Sequence, residues 1–417
     1  MRHLRWLSAI TLVLAACDGR DPPSDGGRDA GPIGRDAGQA VDAGSFDAGS
    51  FDAASGSDAG ELPSCDRTLS PSDDLIAEVT GAADGTTLCL ADGDYGSVDF
   101  DGIDRTGYVT LRSETGRGAT LNPRITGSSF FRFSSLTIAG ATIRSCAHDV
   151  QLTGSVFTDG LLVTMRDSSC PPDLHLLVDR NEFGDLGPAL YEGRISVADD
   201  DGPQPAMGLT IRNNVIGPGC QSDGIQLAGG ASGVTIGPGN VFDGIVQSGP
   251  VHCDMIQFYG SGQGNTIVGN HFRDGSVALT HHTSAPDGTV FRDNLVTRVN
   301  QLQIGQSADV VFEHNTLIDL TDVFHINSDT TNASIRSNLL AANTSPLNTS
   351  VGGGCAGCTI ANNLCESGAC PGTGSVTATP VFVGGASPSD RAGYRLTATS
   401  PGHAAAHDGA DIGIVSP

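Results

Sequence analysis

A six-residue phrase that recurs eight times constrains the fold of this chain more than any other feature. The phrase runs apolar, polar, polar or glycine, asparagine, any residue, apolar, as in Val178–Phe183 and Ile211–Ile216. Successive copies lie 21 to 33 residues apart, with a mean of 26 (182 residues over seven steps). That period is typical of solenoids, and the alternating apolar residues predict short strands rather than helices. The asparagines are Asn181, Asn214, Asn240, Asn270, Asn294, Asn315, Asn338 and Asn363.

The asparagine of each phrase suits a tight turn between strands. Asparagine tolerates the left-handed backbone conformation, and its amide can hydrogen-bond nearby backbone groups. In stacked coils such amides can also bond to each other, which resembles the asparagine ladder of pectate-lyase-like β-helices. The resemblance implies an all-β fold, a right-handed parallel β-helix solenoid.

A second phrase lies between the asparagines and predicts a polar face. It reads Asp223–Leu227 in one coil and Asp254–Phe258 in the next, with later copies around Ala278, Gln303 and His325. Because alternate apolar residues point into the coil, an outward column is expected at Gln226, Gln257, Ala278, Gln303 and His325. In β-helix enzymes the corresponding face binds the polysaccharide. The resemblance thus implies, as substrate-binding residues, Gln226, Gln257, Gln303, His325 and Arg194.

The first 61 residues predict export and tethering. Residues 1–16 form a signal peptide with a basic start and an apolar run shorter than the roughly 20 residues that span a bilayer. The run ends in Leu14-Ala15-Ala16-Cys17, which resembles the lipobox of bacterial lipoproteins and implies acylation of Cys17. An ordinary signal peptide with a chance cysteine is the alternative. Residues 17–61 repeat Asp-Ala-Gly and have too little apolar surface to fold, so a disordered linker is expected.

These features predict an exported protein of the bacterial cell envelope, attached to the membrane through its lipid alone. The folded β-helix domain is expected over residues 62–417, as a monomer. A net charge of −25 argues against nucleic acid as a partner. All 22 basic residues are arginine, which excludes a catalytic lysine.

Ten cysteines remain besides Cys17, and an even number in an exported chain predicts disulfides. Neighbouring cysteines suggest three pairs: Cys65–Cys89, Cys146–Cys170 and Cys220–Cys253. The close set after residue 350 predicts two more disulfides, with a zinc site as the alternative. That set is Cys355, Cys358, Cys365 and Cys370.

Two segments near the start of the domain carry a more specific resemblance. Asp84–Tyr95 resembles the first strand of polysaccharide lyase family six, which includes alginate lyases and chondroitinase B. Gly107–Thr115 resembles the second coil of that family. There, a helix with a phrase like Leu75–Val79 caps the open end, so the resemblance implies an N-terminal helical cap. The resemblance to this family covers roughly Leu69 to Ile143.

The lyase family carries its chemistry on three coils. Calcium ligands lie on two adjacent coils, a lysine follows, and an Arg-His pair lies on the next coil. Transferred by spacing, the resemblance implies calcium ligands at Asp223, His252 and Asp254. The lysine position falls on Tyr259 and the Arg-His position on His281 and His282, which makes these three the candidate catalytic residues.

The residues alone, without the family resemblance, indicate the same candidate site. Asp223 and Asp254 hold equivalent places in consecutive coils, so their carboxylates can approach within about 5 Å. A lyase must neutralise the uronate carboxylate, which calcium can do, and must remove the C5 proton, which needs a base. A stack of turn-capping aspartates with surface histidines is the structural alternative. Hydrolysis is a rival chemistry, because Ser222–Ile225 weakly resembles a polygalacturonase phrase, but the other motifs of that family are missing from the sequence.

The sequence therefore supports two functions. One is a surface-anchored lyase that acts on an acidic polysaccharide with calcium as cofactor. The other is a non-catalytic glycan-binding or structural module of the cell surface, favoured by the missing lysine and arginine of the lyase motif, the long tether and the acidic charge. The closing segment Gly393–Gly413 resembles the end of many bacterial β-helix proteins and is interpreted as a cap over the last coil.

Overall fold

The structure, a computed structural model, describes the chain from residue 64 to residue 415 with gaps. The predicted signal peptide (1–16), the linker (17–61) with Cys17, and His252 lie outside the described residues. At positions 199, 280–282, 324–325, 327 and 348–351 the backbone alone is described. The described ranges are 64–164, 170–171, 173–187, 192–199, 207–247, 253–260, 262–282, 287–305, 307–321, 324–327, 330–343, 348–351 and 355–415.

The chain winds into a right-handed parallel β-helix, as the asparagine phrase and the lyase resemblance predict. Sheet 1 precedes the asparagine turn and contains thirteen strands within the described ranges. They are β1 (Arg67–Leu69), β2 (Thr87–Leu90), β4 (Val109–Ser113), β6 (Ser129–Ser134), β8 (His148–Thr153), β10 (Leu176–Asp179), β13 (Leu209–Arg212), β16 (Thr235–Ile236), β19 (Thr266–Val268), β22 (Val290–Arg292), β24 (Val311–Glu313), β27 (Ser334–Arg336) and β30 (Thr359–Ala361).

The strands after the turn form sheet 2 and sheet 3, again in parallel. They are β3 (Gly93–Asp101), β5 (Ala119–Thr126), β7 (Thr137–Arg144), β9 (Val156–Thr164), β11 (Glu182–Phe183), β12 (Gly193–Asp199), β14 (Val215–Ile216), β15 (Asp223–Gly229), β17 (Val241–Asp243), β18 (Ile256–Tyr259), β20 (His271–Val277), β21 (Leu279–His282), β23 (Leu295–Ile304), β25 (Thr316–Ile318), β26 (Phe324–Asn327), β28 (Leu339–Ala341), β29 (Asn348–Val351), β31 (Leu364–Cys365) and β32 (Val376–Thr377). Sheet 3, which carries the candidate site, runs through β12, β15, β18 and β21 and continues in β23, β26 and β29.

The eight asparagines form a continuous ladder at the turn between sheet 1 and sheet 2. From Asn181 to Asn363, each amide nitrogen donates to the Oδ1 of the next ladder asparagine at 2.9 to 3.2 Å. Ser155 begins the ladder, because its backbone N–H donates to Asn181 Oδ1. Ser375 ends it by accepting from the Asn363 backbone N–H. The predicted ladder is confirmed.

The left-handed residue is the one before each ladder asparagine, so the prediction that placed this conformation on the asparagine is wrong. The backbone φ is 57° at Arg180 and 54° at both Asp293 and His314. Glycines hold the same position at Gly239 and Gly269, where φ is 81° and 67°. This residue turns the chain from sheet 1 into sheet 2. The next side chain, the asparagine, is then buried and lies in line with the neighbouring coils.

A column of apolar side chains fills the inside of the coils. Its phenylalanines stack from coil to coil, with ring centroids 4.3 Å apart for Phe157–Phe183 and 5.0 Å apart for Phe291–Phe312. Burying one such side chain contributes about 1.5–3 kcal/mol. The apolar positions of the repeated phrase therefore stabilise the stack while the asparagines set its turns.

A short helix, α1 (Leu75–Gly81), closes the N-terminal end, as the lyase resemblance implies. The side chain of Asp74 accepts the Ala77 N–H at 3.1 Å, and Leu75 and Val79 are buried against the end of the core. Arg105 donates to the carbonyl oxygens of Val79 and Ala82, which lie at the C-terminal end of the helix. Among the described residues, no helix has both the length and the apolar character needed to cross a bilayer.

Five disulfides join neighbouring cysteines, and the three pairs suggested by the sequence are among them. The close set forms Cys355–Cys358 and Cys365–Cys370, as predicted. Since these four sulfurs are paired, the zinc alternative for the set is wrong.

The closing segment forms a strap, residues 391–415, that begins with a 3-10 turn, η1 (Ala392–Tyr394). The strap contacts Ser337, His314 and Asp293, which lie in the turns of three successive coils. The interpretation of this segment as a cap over the last coil alone is therefore wrong.

The strap takes this path because sheet 2 has apolar side chains on its outer face. Leu339 and Leu364 bury against Leu396 and Ile412 of the strap. Leu295, two coils earlier, buries against Tyr394 and Ile414. A cap on the last coil would leave these outer leucines in water, whereas the strap removes them from it.

Candidate functional site

The two aspartates hold equivalent places in consecutive coils, as predicted. In the parallel pairing of β15 with β18, Ile225 is opposite Ile256, so Asp223 lies opposite Asp254. The backbone N–H of Asp254 donates to Asp223 Oδ1 at 2.7 Å. Both aspartates are buried, with 1% and 0% of their surface exposed. The register thus places two acids side by side in a region of low dielectric.

A third acid, Glu192, joins the pair from the preceding coil. Its backbone N–H donates to Gln226 Oε1 at 3.0 Å, and Gln226 Nε2 donates to Glu192 Oε2 at 3.4 Å. The backbone N–H of Asp223 donates to the Glu192 carbonyl oxygen at 2.7 Å. Glu192 is exposed, so the group opens to solvent on its side.

Sequence reasoning missed Glu192 because the strand after it, β12, lacks the Asp-Gly-Ile-Gln phrase. Its position in the chain could have identified it, because Glu192 lies one residue before Gly193, and Gly193 pairs with Asp223.

Gln226 and Gln257 stack as predicted, but they are buried against the acids, with 4% and 3% of their surface exposed. In one orientation of the Gln257 amide, its Oε1 accepts from Gln226 Nε2. In the other, its Nε2 donates to Asp223 Oδ2 and Glu192 Oε2, both at 3.2 Å. Glu192, Asp223, Asp254, Gln226 and Gln257 are called the acid cluster below.

The acid cluster perturbs the ionisation of Asp223. Burial, reinforced by the charges of Asp254 and Glu192, raises the pKa of Asp223 to about 8. The hydrogen bond from the Asp254 N–H and the nearby Arg194 oppose this rise. Near pH 7 the protonated form is therefore favoured unless a cation replaces the proton.

Arg194, expected to bind substrate, is fully buried instead. Its Nη2 donates to the Gly219 carbonyl oxygen at 2.6 Å and lies 3.8 Å from Asp185 Oδ1. Burial lowers the pKa of Arg194 to about 10, and the charges of Asp185 and Asp223 oppose this change. Arg194 therefore faces the acid cluster from within the fold and has no exposed surface with which to meet a polymer.

The predicted outward column of sheet 3 is interrupted in its middle. Gln257 is opposite Thr280, and Ala278 is buried with 0% exposure. Ala278 lies between β20 and β21, so the alternation of the strand shifts by one residue there. Beyond the break, Gln303 is opposite His325, as the column predicts, and Gln303 is half-buried.

Tyr259, His281 and His282 come from two adjacent strands of sheet 3. Tyr259 is 56% exposed and lies opposite His282 in the pairing of β18 with β21. His281 holds the position opposite Phe258, a core residue. The backbone register therefore groups Tyr259 with His282. Of the predicted calcium ligands, Asp223 and Asp254 are brought together, and His252 lies outside the described residues.

The donor atoms of the acid cluster are of the kind that calcium prefers. Three carboxylates and two amides offer oxygen ligands, and Ca²⁺ takes 6–8 of these from side chains and water. The Gln257 amide can turn either its oxygen or its nitrogen toward the carboxylates. Its oxygen could then bind a cation, and its nitrogen can donate to the carboxylates when no cation is bound. By donor type, calcium fits this group.

No family model and no curated protein matches this chain. Several solved structures are similar to it. One is a PL6 family alginate lyase, AlyGC, at 13% identity and a TM-score of 0.48, covering 80% of this chain and 56% of that one. Another is the PL6 family lyase Pedsa3628 from Pseudopedobacter saltans, at 11% identity and a TM-score of 0.46, covering 71% and 92%. A third is PfbA, a surface adhesin of Streptococcus pneumoniae, at 13% identity and a TM-score of 0.44, covering 69% and 85%.

This chain thus spans little more than half of AlyGC.

Proposed function

We propose that this protein is a calcium-assisted lyase that cleaves a uronate-containing polysaccharide by β-elimination. The observation that carries the proposal is the acid cluster, in which Glu192, Asp223 and Asp254 lie on three consecutive coils. The exposed Tyr259 follows on the same strand as Gln257. A chain of net charge −25 repels an acidic polymer. The proposal therefore includes a cation that lies between the carboxylates of the protein and those of the polymer.

The cluster and the candidate base lie close enough to act on one sugar. The Gln257 amide is 3.2 Å from Asp223 Oδ2 in one orientation. Tyr259 is two residues further along β18 on the same side of the strand, which is a separation of about 7 Å. A uronate whose carboxylate sits at the acid cluster can therefore present its C5 toward Tyr259.

Each residue then has a defined task in the reaction. Glu192, Asp223 and Asp254 would hold the calcium ion, which would neutralise the uronate carboxylate and so make the C5 proton more acidic. Tyr259, as the phenolate, takes that proton and becomes the neutral phenol, the C4–O bond breaks, a C4=C5 double bond forms, and the leaving oxygen takes up a proton. His282, whose backbone lies opposite Tyr259, is the second candidate for the proton transfers.

The decisive experiment uses the disulfide-bonded domain with alginate, pectate and glycosaminoglycans, with calcium or with chelator. Ultraviolet absorbance of the unsaturated product ends measures cleavage. We expect activity with calcium on one polymer class and its loss in Asp254→Asn. Tyr259→Phe should lower the rate by roughly 100-fold or more, since it removes the proposed base. Tyr108→Phe changes a tyrosine that contacts Arg132 near the N-terminal end and serves as the matched control.

A non-catalytic glycan-binding module is the second candidate function, favoured by the full burial of Asp223 and Asp254. Binding of the polymer without any unsaturated product would replace the lyase proposal with this one. Absence of both binding and cleavage on all three polymers would remove both.

We also propose that the chain is an exported lipoprotein acylated on Cys17. Five disulfides support an oxidising compartment. Metabolic labelling with a fatty acid should mark the intact chain and should fail to mark Cys17→Ala. Equal labelling of the two would contradict acylation at this residue.

A further inference from the structure

We propose that His314, His407 and Asp408 form a zinc site that pins the C-terminal strap to the wall of the solenoid. His314 lies in the turn of the Asn315 coil, and the other two lie on the strap, more than 90 residues away in sequence. One donor atom from each of the three side chains lies within 4.8 Å of the others. Two imidazoles and one carboxylate form a donor set that suits zinc and other divalent transition metals better than calcium.

In both histidine rings the Nδ1 atom lies within hydrogen-bond distance of a protein oxygen. His314 Nδ1 lies 3.2 Å from the Asp411 carbonyl oxygen, an acceptor that favours a proton on Nδ1. His407 Nδ1 lies 2.8 Å from Ser337 Oγ. In each ring the Nδ1 is thus engaged by a protein oxygen, which leaves Nε2 for an ion. Metal-binding histidines use this kind of outer hydrogen bond to fix their orientation.

One donor pair has the spacing expected for tetrahedral zinc, and the third donor lies within 4.8 Å of both. His314 Nε2 is 3.2 Å from Asp408 Oδ2. A tetrahedron with arms of about 2.0–2.1 Å has edges of about 3.3 Å, so one ion can bind both atoms with little movement. The His314 and His407 ring centroids are 5.5 Å apart, which leaves room for an ion between their nitrogens.

Burial indicates that an ion here would be held by the fold itself. The His314 side chain is 2% exposed, and its buried Nε2 faces Asp408 Oδ2 across 3.2 Å. The Asp408 side chain is 42% exposed, so an ion can enter from the strap side and complete its coordination with water. Such an ion would link the turn of an inner coil to the end of the chain.

The test measures zinc bound to the purified disulfide-bonded protein after exhaustive chelation, reloading with zinc chloride and gel filtration. We expect one tightly bound equivalent that His407→Ala and Asp408→Asn each lose, with affinity for that equivalent falling by at least roughly 100-fold. His403→Ala is the matched control. His403 is on the same strap but is half exposed and bonds to Asp411 Oδ1 instead. It should keep the full equivalent.

Two further readouts separate a built site from loose binding to other histidines. Zinc should raise the thermal unfolding midpoint of the wild type and of His403→Ala, but not of Asp408→Asn. Cobalt should give the visible absorption of a tetrahedral site in the wild type and lose it in His407→Ala. Circular dichroism of the variants should match the wild type, because both substituted side chains lie on the strap. Equal zinc content in the wild type, His407→Ala and Asp408→Asn would overturn the proposal, as would a wild-type unfolding midpoint that zinc leaves unchanged.

Discussion

Two stacks of polar side chains run along this solenoid, and the same coil spacing has opposite consequences for them. In the asparagine ladder each amide both donates and accepts, so the side chain on one coil satisfies the side chain on the next. In the acid cluster Glu192, Asp223 and Asp254 repeat a group that can only accept. The result is a pKa of about 8 for Asp223, whose charge is disfavoured by burial and by its acidic neighbours.

The comparison teaches why one stack is structural and the other is the candidate site. Repeating a neutral group that is both donor and acceptor stabilises every coil it crosses. Repeating a carboxylate creates a cost that only a proton or a cation relieves. A solenoid can therefore bring acids together by placing them at, or one residue from, the same register position on consecutive coils.

Asp223→Asn should produce the largest change, because it converts the acid cluster toward an amide stack. The pKa of Asp223 is raised from 3.8 to about 8, so the folded chain holds this proton more tightly than the unfolded chain does. Its contribution to stability is complete below about pH 4 and is lost as the pH rises through about 8. The difference in pKa corresponds to roughly 6 kcal/mol.

Urea unfolding in chelator at several pH values measures this effect. The wild-type stability, relative to that of Asp223→Asn, should fall steadily across this pH range, and calcium should restore part of it at high pH. Asp309→Asn, an exposed acid in a sheet 1 turn, should follow the wild type. Parallel curves for the wild type and Asp223→Asn would contradict the role of burial described here.

Asn294→Ala should have the next largest effect, because it interrupts the ladder in the middle. The substitution leaves the Asn270 backbone N–H, the Asn270 amide and the Ile267 carbonyl oxygen without their partner. Each such loss in a buried position costs about 1–3 kcal/mol, so we expect about 3–5 kcal/mol in the free energy of unfolding. Asn300→Ala, an exposed asparagine in the same coil, should cost less than about 0.5 kcal/mol. Similar costs for the two variants would show that the ladder adds nothing beyond an ordinary asparagine.

Ser155→Ala should have the smallest effect, because Ser155 stands at the end of the ladder. Its Oγ accepts the Leu136 N–H and donates to the Thr153 carbonyl oxygen, both at 3.1 Å, whereas its bond to Asn181 uses the backbone and survives the substitution. The Thr153 oxygen still accepts from the Ser135 N–H, so the main loss is the partner of the buried Leu136 N–H, which corresponds to about 1–2 kcal/mol by chemical denaturation. A cost as large as that of Asn294→Ala would mean that the two ends of the ladder are as critical as its centre.

Much of the fold could be predicted because it repeats. The asparagine period recurs, and the disulfide partners lie within about one coil of each other in sequence, whereas the α1 cap was implied by the lyase resemblance. The placement of Asp223 opposite Asp254 followed from the same repeat. The interruption at Ala278 could not be predicted, because one extra residue between two strands leaves no mark in the apolar pattern.

The register of Asp223 with Asp254 was predicted, but the environment of the candidate site was not. Gln226, Gln257 and Arg194 were expected at the surface, and the structure buries all three. Glu192 was missed because its coil lacks the phrase that identified its neighbours. Burial and charge depend on what lies across the coil, and a pattern along one strand carries no information about that.

The sequence by itself determined the repeated coil, its asparagine turns and the pairing of adjacent coils, because these depend on interactions that every coil repeats with the next. Only the tertiary structure decided that the last residues return along sheet 2 to meet His314, and that Asp223 is buried deeply enough to retain its proton near neutral pH. Both depend on contacts between distant residues and on the exclusion of water, which arise once the solenoid has closed.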